Sequence, residues 1–141
     1  MKTGKVLILL LTLLVGGASS GQAAADTIDW HTYESGMARS RFEKKKVFLY
    51  FHADWCGYCA EMDRKTFKDP AVIAALNRSF IPIRVDSDRE TAVASLFRVK
   101  GLPFSVFLTD AGDKIAHVPG FIPSDQMLKI LSVVMAAHEP K

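Results

Sequence analysis

The sequence predicts an α/β domain built on a central mixed β-sheet of about four strands flanked by helices. Three observations carry that expectation. Helical and extended apolar spacings alternate through the middle of the chain, as a parallel strand pair with a crossover helix requires. The run Val47-Phe48-Leu49-Tyr50-Phe51 is continuous and rich in β-formers, the pattern of a strand covered on both faces. Near the end, Asp110-Ala111-Gly112-Asp113 supplies hairpin turn chemistry between two β-prone runs, which adds antiparallel strands.

The elements follow in order. Met1-Lys2-Thr3-Gly4-Lys5, the apolar run Val6 to Val15 and the small residues ending in Ala23-Ala24-Ala25 have the layout of a secretory signal peptide. Residues 1–25 are therefore assigned to a signal peptide and 26–141 to one domain. A spanning helix needs about 20 apolar residues, and Gly16-Gly17 interrupts this run well before that length. An uncleaved anchor is the alternative. No cysteine lies near the expected cleavage site, so a lipid anchor is not expected.

From about Trp30 to Lys45, Tyr33, Met37 and Phe42 recur at loosely helical spacing and predict a first helix, and Val47 to Phe51 predicts a strand. Cys59, Met62, Asp63 and Phe67 follow Cys56 at helical intervals, which places the cysteines in the first turn of a helix. Asp69-Pro70 caps and opens a further helix reaching Asn77. Strands are expected at Phe80–Val85, Phe104–Leu108 and Lys114–Val118, and a helix at Asp88–Val99. In a last helix Ser124 is the expected cap, with Met127, Leu128, Leu131 and Val134 on one face.

The formal net charge is +3, and without Lys2 and Lys5 it falls close to neutral. Lys44-Lys45-Lys46 is the single tight basic run and reads as a solvated helix end, so no nucleic-acid partner is expected. The chain has only two cysteines, Cys56 and Cys59. A bond between them closes a loop too short to remove much unfolded-chain entropy, so its purpose is chemical rather than structural. At a helix N-terminus, unpaired N–H groups and the helix dipole stabilise a thiolate, which makes Cys56 the candidate nucleophile. Cys59, nearly one turn on, is positioned to resolve the mixed disulfide that Cys56 forms. No metal site is expected: structural zinc wants a second Cys pair or paired histidines, and His31, His52, His117 and His138 are scattered. No cofactor beyond the redox-active disulfide Cys56–Cys59 is implied. His52, four residues before Cys56, either raises the thiolate fraction or simply packs.

Ala53-Asp54-Trp55-Cys56-Gly57-Tyr58-Cys59 resembles the active-site segment of thioredoxin-like proteins, and Gly101-Leu102-Pro103 resembles their cis-proline loop. Thr66-Phe67-Lys68-Asp69-Pro70-Ala71-Val72 and Val118-Pro119-Gly120-Phe121 are similar to segments of the C-terminal periplasmic domain of the DsbD thiol reductases. The resemblance runs from about Lys45 to Leu131 and implies a thioredoxin fold. It also implies that Pro103 is cis and faces the cysteine pair, with the backbone around Leu102 pairing with an extended substrate. Trp55, Gly57 and Tyr58 would then form the docking surface beside Cys56, although Trp55 also reads as a core aromatic.

Two positions bear on proton handling. The family carries an acid six residues before the first cysteine, where this chain has Tyr50. A second acid, seven residues after the first cysteine in the DsbD domain, is matched by Asp63. Asp63 lies four residues beyond Cys59 on the same helix face and is the candidate base for the resolving thiol. The alternative is an Asp63 paired with Arg64 or Lys65.

The expected function is a periplasmic, or otherwise exported, thiol–disulfide oxidoreductase that reduces protein disulfides as a monomer, recharged by a membrane thiol-electron donor. Oxidase or isomerase activity is the alternative within that chemistry. Gly57-Tyr58 resembles the isomerase dipeptide, but the dimerisation domain of those proteins is not seen here. A module holding Cu(I) between reduced cysteines is the alternative outside it, disfavoured by Pro103 and by the lack of a methionine-rich motif.

Overall fold

A computed structural model describes residues 25–137. The expected signal peptide, apart from Ala25, lies outside the described residues. The elements are α1 (Tyr33–Glu43), β1 (Lys46–His52), α2 (Gly57–Arg64), a 3₁₀ turn (Thr66–Lys68), α3 (Pro70–Ser79), β2 (Phe80–Asp86), α4 (Thr91–Leu96), β3 (Phe104–Leu108), β4 (Lys114–Pro119) and α5 (Ser124–Ala136). The sheet order is β2-β1-β3-β4, with β1 and β2 parallel and the other two pairs antiparallel. This is the mixed four-stranded sheet that the sequence predicts.

β1 is the centre of the molecule, and Val47 to Phe51 are wholly buried. Alternation along the strand divides these side chains between two cores. Phe48 and Tyr50 join Met62 of α2, Leu76 of α3 and Met127, Leu131 and Val134 of α5 on one face. Val47, Leu49 and Phe51 pack with Met37 of α1 and Val93 and Phe97 at α4 on the other. Each large apolar side chain buried this way contributes about 1.5–3 kcal/mol, which fixes the strand from which the cysteine motif emerges.

Several boundaries differ from expectation. α1 begins at Tyr33, because the Thr32 hydroxyl accepts the Ser35 N–H and starts the helix there. Trp30 and His31 run extended instead: His31 pairs with Ile83 along the outer edge of β2. Phe42, read as part of the apolar face, is 89 % exposed, and Met37 carries the contact to the core. α1 approaches β2 closely at Gly36, where a Cβ would lie 2.6 Å from the Ile83 Cδ1 atom. Nothing larger than glycine fits there without displacing that side chain.

α4 is shorter than Asp88–Val99. Its approach is spent in a turn, where Asp86 accepts Asp88 N–H through its side chain and Glu90 N–H through its backbone. Beyond it, Arg98 at φ 54 reverses the chain. Pro123 rather than Ser124 occupies the cap position of α5, with no side-chain cap bond, and Ser124 is the first helical residue. Met127, Leu131 and Val134 are buried on its inner face, and Leu128 is half-buried against the same core. The hairpin turns through Gly112 at φ 96, a left-handed conformation that favours glycine.

Candidate active site

β1 delivers the chain to the site. Past His52, Cys56 N–H bonds the Ala53 carbonyl at 3.2 Å, and this turn leaves Cys56 extended (φ −80, ψ 105) at the cap of α2. A cap residue offers its side chain to the unpaired N–H groups of the first helical turn. Here the acceptor is sulfur: Cys59 N–H points at Cys56 Sγ from 3.1 Å. The two cysteines are disulfide-bonded, with Cα atoms 5.2 Å apart. The same N–H and the helix dipole would stabilise negative charge on Cys56 once the bond is reduced.

Around the buried sulfurs stand exposed groups. Trp55 and Tyr58 are 71 % and 65 % exposed, and Gly57 is open to solvent. Trp55 is thus a surface residue, not a core aromatic, held by its indole N–H, which donates to Asp88 at 2.8 Å. The Leu102–Pro103 peptide bond is cis, with Pro103 buried and Leu102 half-buried. Gly120, at φ 85, donates its N–H to the Pro103 carbonyl at 2.8 Å and ties the end of β4 to the loop before β3. The Thr66 hydroxyl donates to the Ile122 carbonyl, so the turn after α2 is fastened to the segment after Gly120. The Pro103 segment is thereby bonded to the Gly120 segment, and the segment that begins at Thr66, just after the cysteine helix, is bonded to Ile122 immediately beyond it.

Asp63 is on α2 four residues from Cys59, but it pairs with neither Arg64 nor Lys65. Both its oxygens accept from the Arg84 guanidinium, each at 2.8 Å; Lys65 pairs with Glu61. Arg84 also lies over the rings of Tyr50, at 5.5 Å, and Trp30, at 5.8 Å. Tyr50 is wholly buried, and burial, followed by the Asp63 carboxylate, pushes its phenol above the ordinary value. It stays protonated and offers no base. Among the described residues its hydroxyl has no hydrogen-bond partner, and neither does that of Ser105, its cross-strand neighbour. His52 stacks on the Tyr50 ring at 5.9 Å, and burial, then Arg84, lowers its proton affinity. The neutral imidazole, the form that accepts a proton, is favoured. Arg84 and Asp88 were not singled out from the sequence. A lone arginine within the apolar run of β2 was the available signal for the first; Asp88 carried none.

A protein-family model described as a thioredoxin-like domain matches residues 33–134. The chain belongs to the thioredoxin-like family. It is 34 % identical over 96 residues to the thiol:disulfide interchange protein DsbD of Haemophilus ducreyi, covering 64 % of this chain and 17 % of that protein. The DsbD of Pectobacterium atrosepticum is 36 % identical over 97 residues, covering 65 % and 16 %. The chain therefore spans about one-sixth of the length of these relatives. Among solved structures, a thioredoxin from Thermus thermophilus superposes with a TM-score of 0.71 at 29 % identity, covering 77 % of this chain and 88 % of that one. A DsbH oxidoreductase superposes at 0.69 and 18 % identity over 94 % and 95 %, which supports the fold alone. With a CxxC pair at the start of α2, thiol–disulfide chemistry is the chemistry this family membership supports.

Proposed function

We propose that the protein is an exported oxidoreductase that reduces disulfides in other proteins through Cys56 and Cys59. The observation that carries this reading is the Cys59 N–H directed at Cys56 Sγ on the first turn of a helix. The Cys56 thiolate attacks one sulfur of a substrate disulfide; the S–S bond breaks, and the other substrate sulfur leaves as a thiolate. Cys59, once deprotonated, attacks Cys56 Sγ, forming the Cys56–Cys59 disulfide and releasing the second substrate thiol. Two electrons pass to the substrate and no further cofactor takes part. Trp55, Gly57, Tyr58, Leu102 and the cis Pro103 form the surface on which the substrate lies. Export after removal of residues 1–25, a monomeric state and a membrane thiol-electron donor complete the reading. They rest on the layout of the N-terminal sequence and on the similarity to DsbD.

Related folds span roughly −270 to −120 mV. The expected potential lies toward the reducing end, and equilibration with glutathione buffers measures it. A value at the oxidising end would transfer the assignment to disulfide donation.

Resolution needs a proton acceptor for Cys59. Asp63 shares its helix face, and a carboxylate has about four lone-pair sites, of which the Arg84 fork occupies two. Asp63→Asn is expected to slow decay of the mixed disulfide by about ten-fold, the low end of general-base effects, with the initial attack by Cys56 unchanged. Stopped-flow kinetics between about pH 6 and 8 measures both steps. Equal resolution rates would assign the proton to His52 or to solvent.

A further inference from the structure

A groove of about 760 Å³ runs over the β3–β4 hairpin on the sheet face that α1 and α4 leave partly open. Its volume lies within the roughly 300–1,000 Å³ of ligand clefts. Phe97, Leu102, Phe104 and Val106 give it an apolar floor. Arg98, Lys100 and Lys114 line it as well, all three exposed, and no aspartate or glutamate does. None of these three cations forms an ion pair among the described residues, although Lys44, Lys45, Lys65, Arg84 and Arg89 all have carboxylate partners. Three cations around an apolar floor that no carboxylate lines give the groove a positive local field. One end of the groove is built by Leu102 and Pro103, which lead into β3, and by Gly120, bonded to Pro103. The first residue of β3, Phe104, pairs with Phe51 near the end of β1, the strand that runs into the cysteine motif. Trp55, Cys56, Gly57 and Tyr58 are not part of it.

We propose that this groove docks an extended acidic segment of the disulfide-bearing partner protein, an apolar side chain on its floor and carboxylates against Arg98, Lys100 and Lys114. The proposal rests on the reading of the protein as a disulfide reductase and adds a substrate preference to it. Because Phe104 pairs with Phe51 just before the cysteine motif, and Pro103 and Phe104 both line the groove, a partner strand that crosses Pro103 on its way from Cys56 enters the groove. Charge complementarity of this kind acts chiefly on encounter rates and discrimination, so acidic partners are reduced faster at equal chemistry.

The test uses three disulfide-bridged peptides that differ in one flank: Asp-Phe-Glu, Ser-Phe-Asn or Lys-Phe-Lys. With the unaltered protein at low salt, kcat/KM for the acidic peptide is expected to exceed that for the neutral one by about ten-fold, the lower end of electrostatic steering. The preference should disappear at about 1 M salt, where the Debye length is about 3 Å. The Lys100→Glu, Lys114→Glu double variant should lose it and favour the basic peptide, while both proteins reduce a small neutral disulfide at the same rate. Equal kcat/KM for acidic and neutral peptides, or a double variant that keeps the preference, would overturn the proposal. Absence of activity even on the small disulfide would count against the reductase reading instead. Calorimetric titration with a cysteine-free acidic peptide then decides the groove by itself: binding lost in the double variant supports it, and no binding to either protein refutes it.

Discussion

In an insulin-reduction assay, Cys56→Ser is expected to fall to background, whereas Cys59→Ser should accumulate protein–insulin mixed disulfides visible on nonreducing gels. The asymmetry follows from position. Cys56 caps α2 and receives the Cys59 N–H, so its thiolate is stabilised by the helix start. Cys59 is inside the first turn and nearly fully buried, where a thiol is harder to ionise but lies within reach of Cys56. Removing the first eliminates attack; removing the second leaves attack intact and blocks release. If the two variants exchanged phenotypes, the roles would have to be reversed.

Phe48→Ala should lower stability by about 3–5 kcal/mol, a large part of the roughly 5–15 kcal/mol that holds a domain together. Phe48 is wholly buried in the central strand, and its ring meets Trp30 at 6.1 Å, Phe67 at 6.1 Å and Phe107 at 5.3 Å. These partners belong to the N-terminal segment, the turn after α2 and β3, so no single element can move to fill the cavity. Urea unfolding should show a lower midpoint with unchanged slope. Phe42→Ala is the control: at 89 % exposure its loss should stay within about 0.5 kcal/mol. Similar midpoints for the two variants would refute this account of the core.

The central strand and the cysteine helix were legible in the sequence because each rests on a local signal, two-sided burial in one case and helical spacing in the other. Sheet composition followed from the order of elements and one turn. The ends of α1 and α4 were not legible. At Thr32 a side-chain cap decides, and after α4 a left-handed Arg98 does; neither leaves a trace in apolar periodicity. At the site, the family resemblance pointed to Asp63, but its partner was sought one and two residues along the helix, where side chains do not share a face. Arg84 is 21 positions away, and only the β1–β2 pairing, which sets Tyr50 opposite Arg84, brings it to α2. An exposed Trp55 is what the docking-surface reading implied, but the anchor that holds it, Asp88, lies across the fold and left no local signal.

The two margins of the sheet are protected by different means. Along β2, His31 donates to the Pro82 carbonyl at 2.9 Å and accepts Arg84 N–H at 3.1 Å, so that margin is already occupied by the protein's own chain. Along β4 no further strand follows among the described residues, and an unpaired strand is a template for pairing between molecules. Lys114 stands at one end of β4 and Pro119, which has no N–H to give, at the other. A neighbouring molecule adding its own β4 in parallel register would set lysine against lysine, and in either direction each proline would leave a rung of the ladder unmade. The open margin thus resists fibril-like growth while remaining accessible to a strand of different composition.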